Sequence, residues 1–239
     1  MPFSLLCREH ERAGARISLV ALSAFVLFVA AKKPDAGLPV SATPDQLLAA
    51  VQKRYDSFDD FSAEFMQTTM RASRPGKGRS EIGSVYLKRP GLMRWDYAEP
   101  EVKNFIVDGQ RLWAYKPDEG QVGVYDHFKE AEISAGLSFL WTKKKLAAEF
   151  DAKHFTGPDP LGEKVAERAL RLTPKKEDPS IKTLTFYVDD RGFIEKAIIE
   201  DHLGNTNIFA FRAIKTDQKL KKDAFLFTPP PGVKVLHID

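Results

Sequence analysis

The chain has 239 residues, 43% of them hydrophobic and 29% charged, an ordinary globular composition with room for one sizeable core. Its 36 basic and 33 acidic residues leave a net charge of +3, and no dense Lys/Arg run is interleaved with aromatics, so nothing points to a nucleic-acid partner. The only cysteine, Cys7, lies ahead of an apolar run, so the chain beyond that run has no disulfide, thiol nucleophile or cysteine-based metal site.

Arg8, Arg12 and Arg16 precede the apolar run Ile17 to Ala31, which ends in Val29-Ala30-Ala31 and leads into Lys32-Lys33-Pro34. A basic region, a short apolar region and small residues at the exit read as a secretory signal peptide over residues 1–31. The run is shorter than the roughly 20 apolar residues of a membrane span. A retained membrane anchor is the alternative. Cys7 does not stand at the end of the apolar run, where a lipidated cysteine would, so the expected product is soluble after export.

Residues 32–42 are rich in Pro, Gly and Ala and read as a linker, with one domain over 43–239. Thr43-Pro44-Asp45-Gln46 is a helix start: Thr43 can cap, Pro44 suits the first turn and Gln46 completes a capping box. Leu47, Leu48, Val51, Tyr55 and Phe58 follow at helical spacing and give one packing face. From Phe61 the period changes to two, with Phe61, Ala63 and Phe65 on one side. Residues 71–79 form a basic hairpin loop. A strand over Ile82 to Arg89 breaks at Pro90-Gly91, and Met93, Trp95 and Tyr97 share the next strand's face.

Strands over Lys103 to Val107, Arg111 to Tyr115 and Gln121 to Tyr125 are separated by Asp108-Gly109 and Pro117-Asp118-Glu119-Gly120 turns. Alternation then stops. Ile133, Leu137, Leu140 and Trp141 fall on one helix face, interrupted by Gly136, so one helix or two short ones fit. Strand signals resume near Phe150 and run through Ala169 to Pro174, Ile181 to Val188, Phe193 to Asp201 and Thr206 to Ile214, with tight turns at 189–192 and 202–205. The sum is about eleven antiparallel strands in one sheet, which tends to curl or close.

No constellation carries chemistry. The histidines are scattered, and there is no H-E-x-x-H pair, G-x-S-x-G elbow or Walker loop. The chain therefore reads as a non-enzyme with no cofactor and no metal. Two features stand out. Val85, Leu87 and Arg89 share a strand face, which sets a guanidinium among apolar side chains. Such an Arg is costly unless its donors are accepted, so it lies at a rim or holds something down inside a cavity. Large side chains are also abundant, Phe61, Phe65, Trp95, Phe105, Trp113, Phe139, Trp141, Phe155, Phe186, Phe209 and Phe211 among them. They fit an ordinary sheet core or the lining of a cavity under a helical lid.

The order of several motifs is more specific than any one of them. The capped helix is followed by Phe61-Ser62-Ala63-Glu64-Phe65-Met66-Gln67, by Lys88-Arg89-Pro90-Gly91-Leu92-Met93-Arg94-Trp95, by Val107 to Tyr115, by Leu172-Thr173-Pro174-Lys175, and by Phe227-Thr228-Pro229-Pro230-Pro231-Gly232-Val233. In this the chain resembles the LolA family of periplasmic outer-membrane lipoprotein carriers. The resemblance implies an incomplete antiparallel β-barrel with helices as a lid over an apolar cavity for acyl chains. It implies as partners triacylated lipoproteins, an inner-membrane ATP-driven transporter that releases them, and an outer-membrane receptor that accepts them, with the carrier itself a monomer. Arg89 is then the latch that bonds lid backbone in the empty, closed state. With the strand faces read above, the cavity wall falls to Phe61, Phe65, Val85, Leu87, Met93 and Trp95, and the lid's apolar face to Leu137, Leu140 and Trp141. Better-known members carry Phe where this chain has Met93. A lipid-sensing periplasmic domain, or a structural β-domain of the same fold, are the alternatives without a transport role.

Overall fold

The computed structural model describes residues 37–238, apart from 75, 127 and 129–144. The expected signal peptide and the expected lid residues Leu137, Leu140 and Trp141 thus lie outside the described residues. Residues 37–42 are held against the sheet: Leu38 donates its N–H to the Asp190 carbonyl at 2.7 Å, and Arg168 Nε donates to the Leu38 carbonyl at 2.9 Å.

Helix α1 (Pro44–Asp56) begins as its sequence requires. Thr43 N–H donates to Gln46 Oε1 at 2.9 Å and Gln46 N–H donates to Thr43 Oγ1 at 3.3 Å, the reciprocal pair of a capping box. Its buried stripe is Leu47, Leu48, Val51 and Tyr55. A short helix α2 (Leu146–Glu149) is pinned to it, with the Leu146 N–H on Gln52 Oε1 and Lys145 Nζ on Asp56 Oδ2.

The rest is one sheet. Its first six strands are β1 (Asp60–Met70), β2 (Gly78–Lys88), β3 (Leu92–Glu99), β4 (Lys103–Asp108), β5 (Leu112–Lys116) and β6 (Gln121–Tyr125). The remaining six are β7 (Phe150–His154), β8 (Ala169–Pro174), β9 (Thr183–Val188), β10 (Ile194–Glu200), β11 (Thr206–Thr216) and β12 (Lys234–Ile238). They lie in the order β12-β6-β5-β4-β3-β2-β1-β11-β10-β9-β8-β7. The two end strands do not pair, so the sheet stays open and does not close into a barrel. The incomplete, mainly antiparallel architecture expected from the sequence is present, with one strand more than the eleven expected. The addition is β12, which pairs parallel with β6 (Lys234 opposite Gln121, Ile238 opposite Tyr125). A parallel neighbour needs a long crossover, and residues 217–233 supply it. Asp60, itself buried, accepts the N–H groups of Gln218 and Leu220 at 2.7 and 3.0 Å and starts this strap. Farther on, Phe225 is fully buried, and Phe227 packs on Trp113 and Tyr115.

The sheet buries its inner face and, over β8 to β11, its outer face as well, by different means. The inner face, which carries α1, holds the main core from Val107 on β4 to Leu170 and Leu172 on β8. On the outer face of β8 to β11 a second cluster, Phe155, Ala169, Tyr187, Ile198 and Ile208, lies under segment 155–168. Phe155 and Trp113, grouped by size with the inner aromatics, therefore belong to the outer side. The burial patterns follow. Strand β9 is buried at five consecutive positions, whereas β3 alternates strictly because only its inner residues are fully covered.

Candidate functional site

Antiparallel register converts the inner face of β1 to β5 into rows. The first is Phe61–Leu87–Met93–Val107–Leu112. The second is Ala63–Val85–Trp95–Phe105–Ala114, and the third Phe65–Gly83–Tyr97–Lys103. From Phe61 to Phe65 is about 13 Å along the strand, and β1 to β5 is about 19 Å across, at ordinary strand spacings. The result is an apolar band with a polar border at each end.

All six sheet residues expected as cavity wall lie in this band. Phe61, Phe65, Val85, Leu87, Met93 and Trp95 are each no more than 4% exposed. The aromatic members touch edge to face, with Phe65 4.8 Å from Trp95 and 4.9 Å from Tyr97, and Trp95 5.4 Å from Phe209. Gly83 makes room for this: a Cβ there would stand 2.2 Å from the Asp96 carbonyl and 2.8 Å from the Phe65 ring. A side chain at 83 would push the Phe65 ring off the sheet.

Arg89 forms one border. Its backbone N–H donates to the Asp59 carbonyl at 2.9 Å, which continues the β1–β2 ladder and keeps Arg89 in the parity of Leu87. The guanidinium is half-buried, donates from Nη1 to the Phe58 carbonyl at 3.4 Å, and stands 5.8 Å from the Phe58 ring. Burial pulls its pKa below the usual arginine value, and the charges of Asp56 and Asp59 oppose that. Arg89 is thus seated against the link between α1 and β1, at the end of the band where Tyr55, Phe58 and Phe61 pack together.

Gln67, Glu81, Lys103 and Asn207 form the other border. Tyr97 donates its hydroxyl to Gln67 Oε1, and Gln67 Nε2 donates to Asn207 Oδ1 at 2.8 Å. Glu81 is 8% exposed and accepts from Lys103 Nζ at 2.8 Å, while Lys103 Nζ also lies 4.3 Å above the Tyr97 ring. Burial, then the nearby Glu81 charge, raises the Tyr97 pKa, so the hydroxyl stays a donor. Sequence reading did not single out this border. Its signal was present in the period of two, since Gln67 is two residues beyond Phe65 and Glu81 four before Val85.

Among the described residues no three His, Cys, Asp or Glu side chains group as a metal site. Asp108 and Asp189, read as turn residues, are so: Asp108 Oδ1 accepts the Gln110 and Arg111 N–H groups, and Asp189 Oδ1 those of Arg191 and Phe193. Among the described residues no helix is long and apolar enough to cross a membrane. What the face offers is apolar area between a cationic border and a hydrogen-bonding one.

Residues 56–228 match the family described as outer membrane lipoprotein carrier protein LolA. An outer-membrane lipoprotein carrier protein from Nitrosomonas europaea is 27% identical over 204 residues, covering 84% of this chain and 95% of that one. Another from Haemophilus ducreyi is 29% identical over 192 residues, covering 80% and 84%. Among solved structures, a LolA superfamily protein from Nitrosomonas europaea aligns with 78% of this chain and 99% of its own at 13% identity and a TM-score of 0.43.

Proposed function

Because the chain belongs to the LolA family of outer membrane lipoprotein carriers, we propose that the inner-face band is where the acyl chains of its cargo lie and that Arg89 latches the empty state. The protein is a periplasmic lipoprotein chaperone, and its family is one of carriers. The observation that carries the site is the band itself: three apolar rows with Arg89 at one end and hydrogen-bonding side chains at the other.

Each buried methylene contributes roughly 0.8 kcal/mol. An acyl chain with about a dozen buried methylenes gains on the order of 10 kcal/mol, enough to hold a lipid in water. A charged hydrogen bond contributes only about 1.5–3 kcal/mol, so Arg89 can bias the closed state and still yield to cargo. The lid role falls to residues 130–146, with Leu137, Leu140 and Trp141 as its apolar residues, and cargo takes the lid's place. Residues 1–31 act as a cleaved signal and 43–239 as the carrier domain, reached through 32–42. The carrier works as a soluble monomer: it takes triacylated lipoproteins from an ATP-driven inner-membrane transporter and passes them to an outer-membrane receptor.

The test is reconstituted transfer between membranes. Arg89→Leu is expected to load cargo and to deliver less of it to the receptor. Normal delivery by that variant removes the latch role. A separate measurement addresses the band: a fluorescent fatty acid should bind the parent protein, and its failure to bind would count against an acyl site on this face.

A further inference from the structure

The hairpin between β1 and β2 has no part in the band. Residues 71–79 hold Arg71, Arg74, Lys77 and Arg79 and no acidic residue. Arg79 is taken, paired with Glu101 at 3.0 Å and Glu81 at 3.4 Å. Arg71, Arg74 and Lys77 are exposed and make no ion pair with a described residue. Two successive turns, Arg74 N–H to the Arg71 carbonyl at 2.9 Å and Lys77 N–H to the Arg74 carbonyl at 3.3 Å, gather these cations at one tip.

A second, apolar feature is bound to that tip. The Ala72 N–H donates to Asn205 Oδ1 at 3.2 Å, which joins the hairpin to the β10–β11 turn. In this turn Asp201 Oδ1 accepts the N–H groups of Leu203 and Asn205, so the carboxylate closes the turn. Leu203 is presented to solvent at 80% exposure, the most exposed of the large apolar side chains described. Val102, in the β3–β4 turn at the same strand end, is 48% exposed. Cations and projecting aliphatic side chains stand together at this strand end.

We infer that this tip docks on an anionic phospholipid surface, with Leu203 entering the headgroup layer and Arg71, Arg74 and Lys77 meeting lipid phosphates. Charge complementarity selects the partner, and a leucine projecting at 80% exposure beside three exposed cations favours a bilayer over a folded protein. Clustered Lys/Arg beside aliphatic side chains is the composition of interfacial binding. The geometry adds an orientation. The tip lies beyond Met70, at the Gln67–Asn207 end of the band, so docking brings the polar border to the membrane and leaves Arg89 at the far end. This is independent of the carrier reading, since membrane binding is read without cargo.

The test is co-sedimentation of the protein, as the cell processes it, with phosphatidylglycerol vesicles and with phosphatidylcholine vesicles. The parent should bind the anionic vesicles, lose them as salt is raised, and ignore the neutral ones. Each cation near such a surface is worth about fivefold in partitioning, so the triple variant Arg71→Gln, Arg74→Gln, Lys77→Gln should lose about 100-fold. Leu203→Ser should lose roughly tenfold. Both change exposed side chains and should leave the unfolding midpoint unchanged. The N-terminal residues are common to parent and variants, so the differences belong to the tip. Equal binding of parent and triple variant overturns the proposal. So does binding of the parent to soluble polyglutamate as tight as to anionic vesicles with no loss in Leu203→Ser, which would mark an acidic protein as the partner.

Discussion

On its inner side the sheet meets α1 through apolar surface: Leu47, Val51 and Tyr55 above, Phe61, Leu184 and Phe186 below. On its outer side, under segment 155–168, the seal is polar at its centre. Lys196 is 8% exposed, and its Nζ donates to Asp159 Oδ2 at 3.0 Å and to Glu163. Tyr187 donates its hydroxyl to the same Asp159 oxygen at 2.7 Å. A buried ammonium is tolerated only with partners in place, so this cover fits one segment in one position. Apolar burial is non-directional and depends on area removed from water. The inner face under α1 is thus sealed mainly by area, and the outer face under 155–168 is fastened by charge.

Removing area from the inner side should cost most. Phe61→Ala deletes a side chain that is 2% exposed and contacts both Tyr55 and Phe58, and a loss of about 3–5 kcal/mol in urea unfolding is expected. A loss near 1 kcal/mol would mean the band is loosely packed and the contrast between the faces is wrong. Next is Asp159→Ala, which takes one partner from Lys196 and the acceptor from the Tyr187 hydroxyl. About 1–3 kcal/mol is expected, with faster amide exchange confined to 155–168 and the outer strands. Equal loosening of α1 would show that the two covers unfold as one unit.

The two faces also differ in how far the sequence disclosed them. Alternation at Phe61/Ala63/Phe65 and Met93/Trp95/Tyr97 placed the inner band to the residue, because a one-sided core imposes a period of two. The α1 cap was legible for the same reason: both halves of the box lie within four residues. The outer cover was not legible. Its fastening joins Asp159 to Lys196 across 37 residues, and Lys and Asp are ordinarily surface residues. Strand β12 escaped notice because it is five residues long and its partner β6 lies more than a hundred residues earlier. Arg89 was legible as an anomaly of parity, but its seat on the Phe58 carbonyl depends on where α1 ends in space.

Proton concentration should separate the covers by a smaller margin. Burial pushes the Asp159 carboxyl up, but its bonds from Tyr187, Lys196 and the Leu161 N–H, with the Lys196 charge, hold it below the usual carboxylate range. A depressed carboxyl contributes stability that is present above its unfolded value, about 4, and is lost as pH falls through the folded one. Burial first, then the bond to Asp159, raises Tyr187. Burial lowers Lys196, but Glu163 and Asp159 raise it on balance. Those two contributions are present below about pH 10 and are lost as pH rises through the folded values. Amide exchange in 155–168 should therefore quicken below about pH 4 while the apolar core of α1 stays protected; above about pH 10 the contrast narrows, because burial raises the Tyr55 hydroxyl of α1 as well. Protection that falls equally in both covers at acid pH would remove the polar seal from the account.

The smallest effect belongs to the strip where neither cover reaches. On the outer face of β1 and β2, Met66 and Ile82 face each other at 41% and 38% exposure, between the strap of 217–233 on one side and segment 155–168 on the other. Their flank is the exposed ion pair of Arg212 with Glu64 at 2.8 Å, a kind of contact worth little in water. Met66→Ser should then change unfolding free energy by no more than about 0.5 kcal/mol. It should leave fatty-acid binding on the inner face unchanged, because residue 66 points away from Phe65. A larger loss would mean that a part of the chain packs on the strip. In that case the outer face would be sealed by area as well as by charge, and the difference between the two faces would shrink to its single buried lysine.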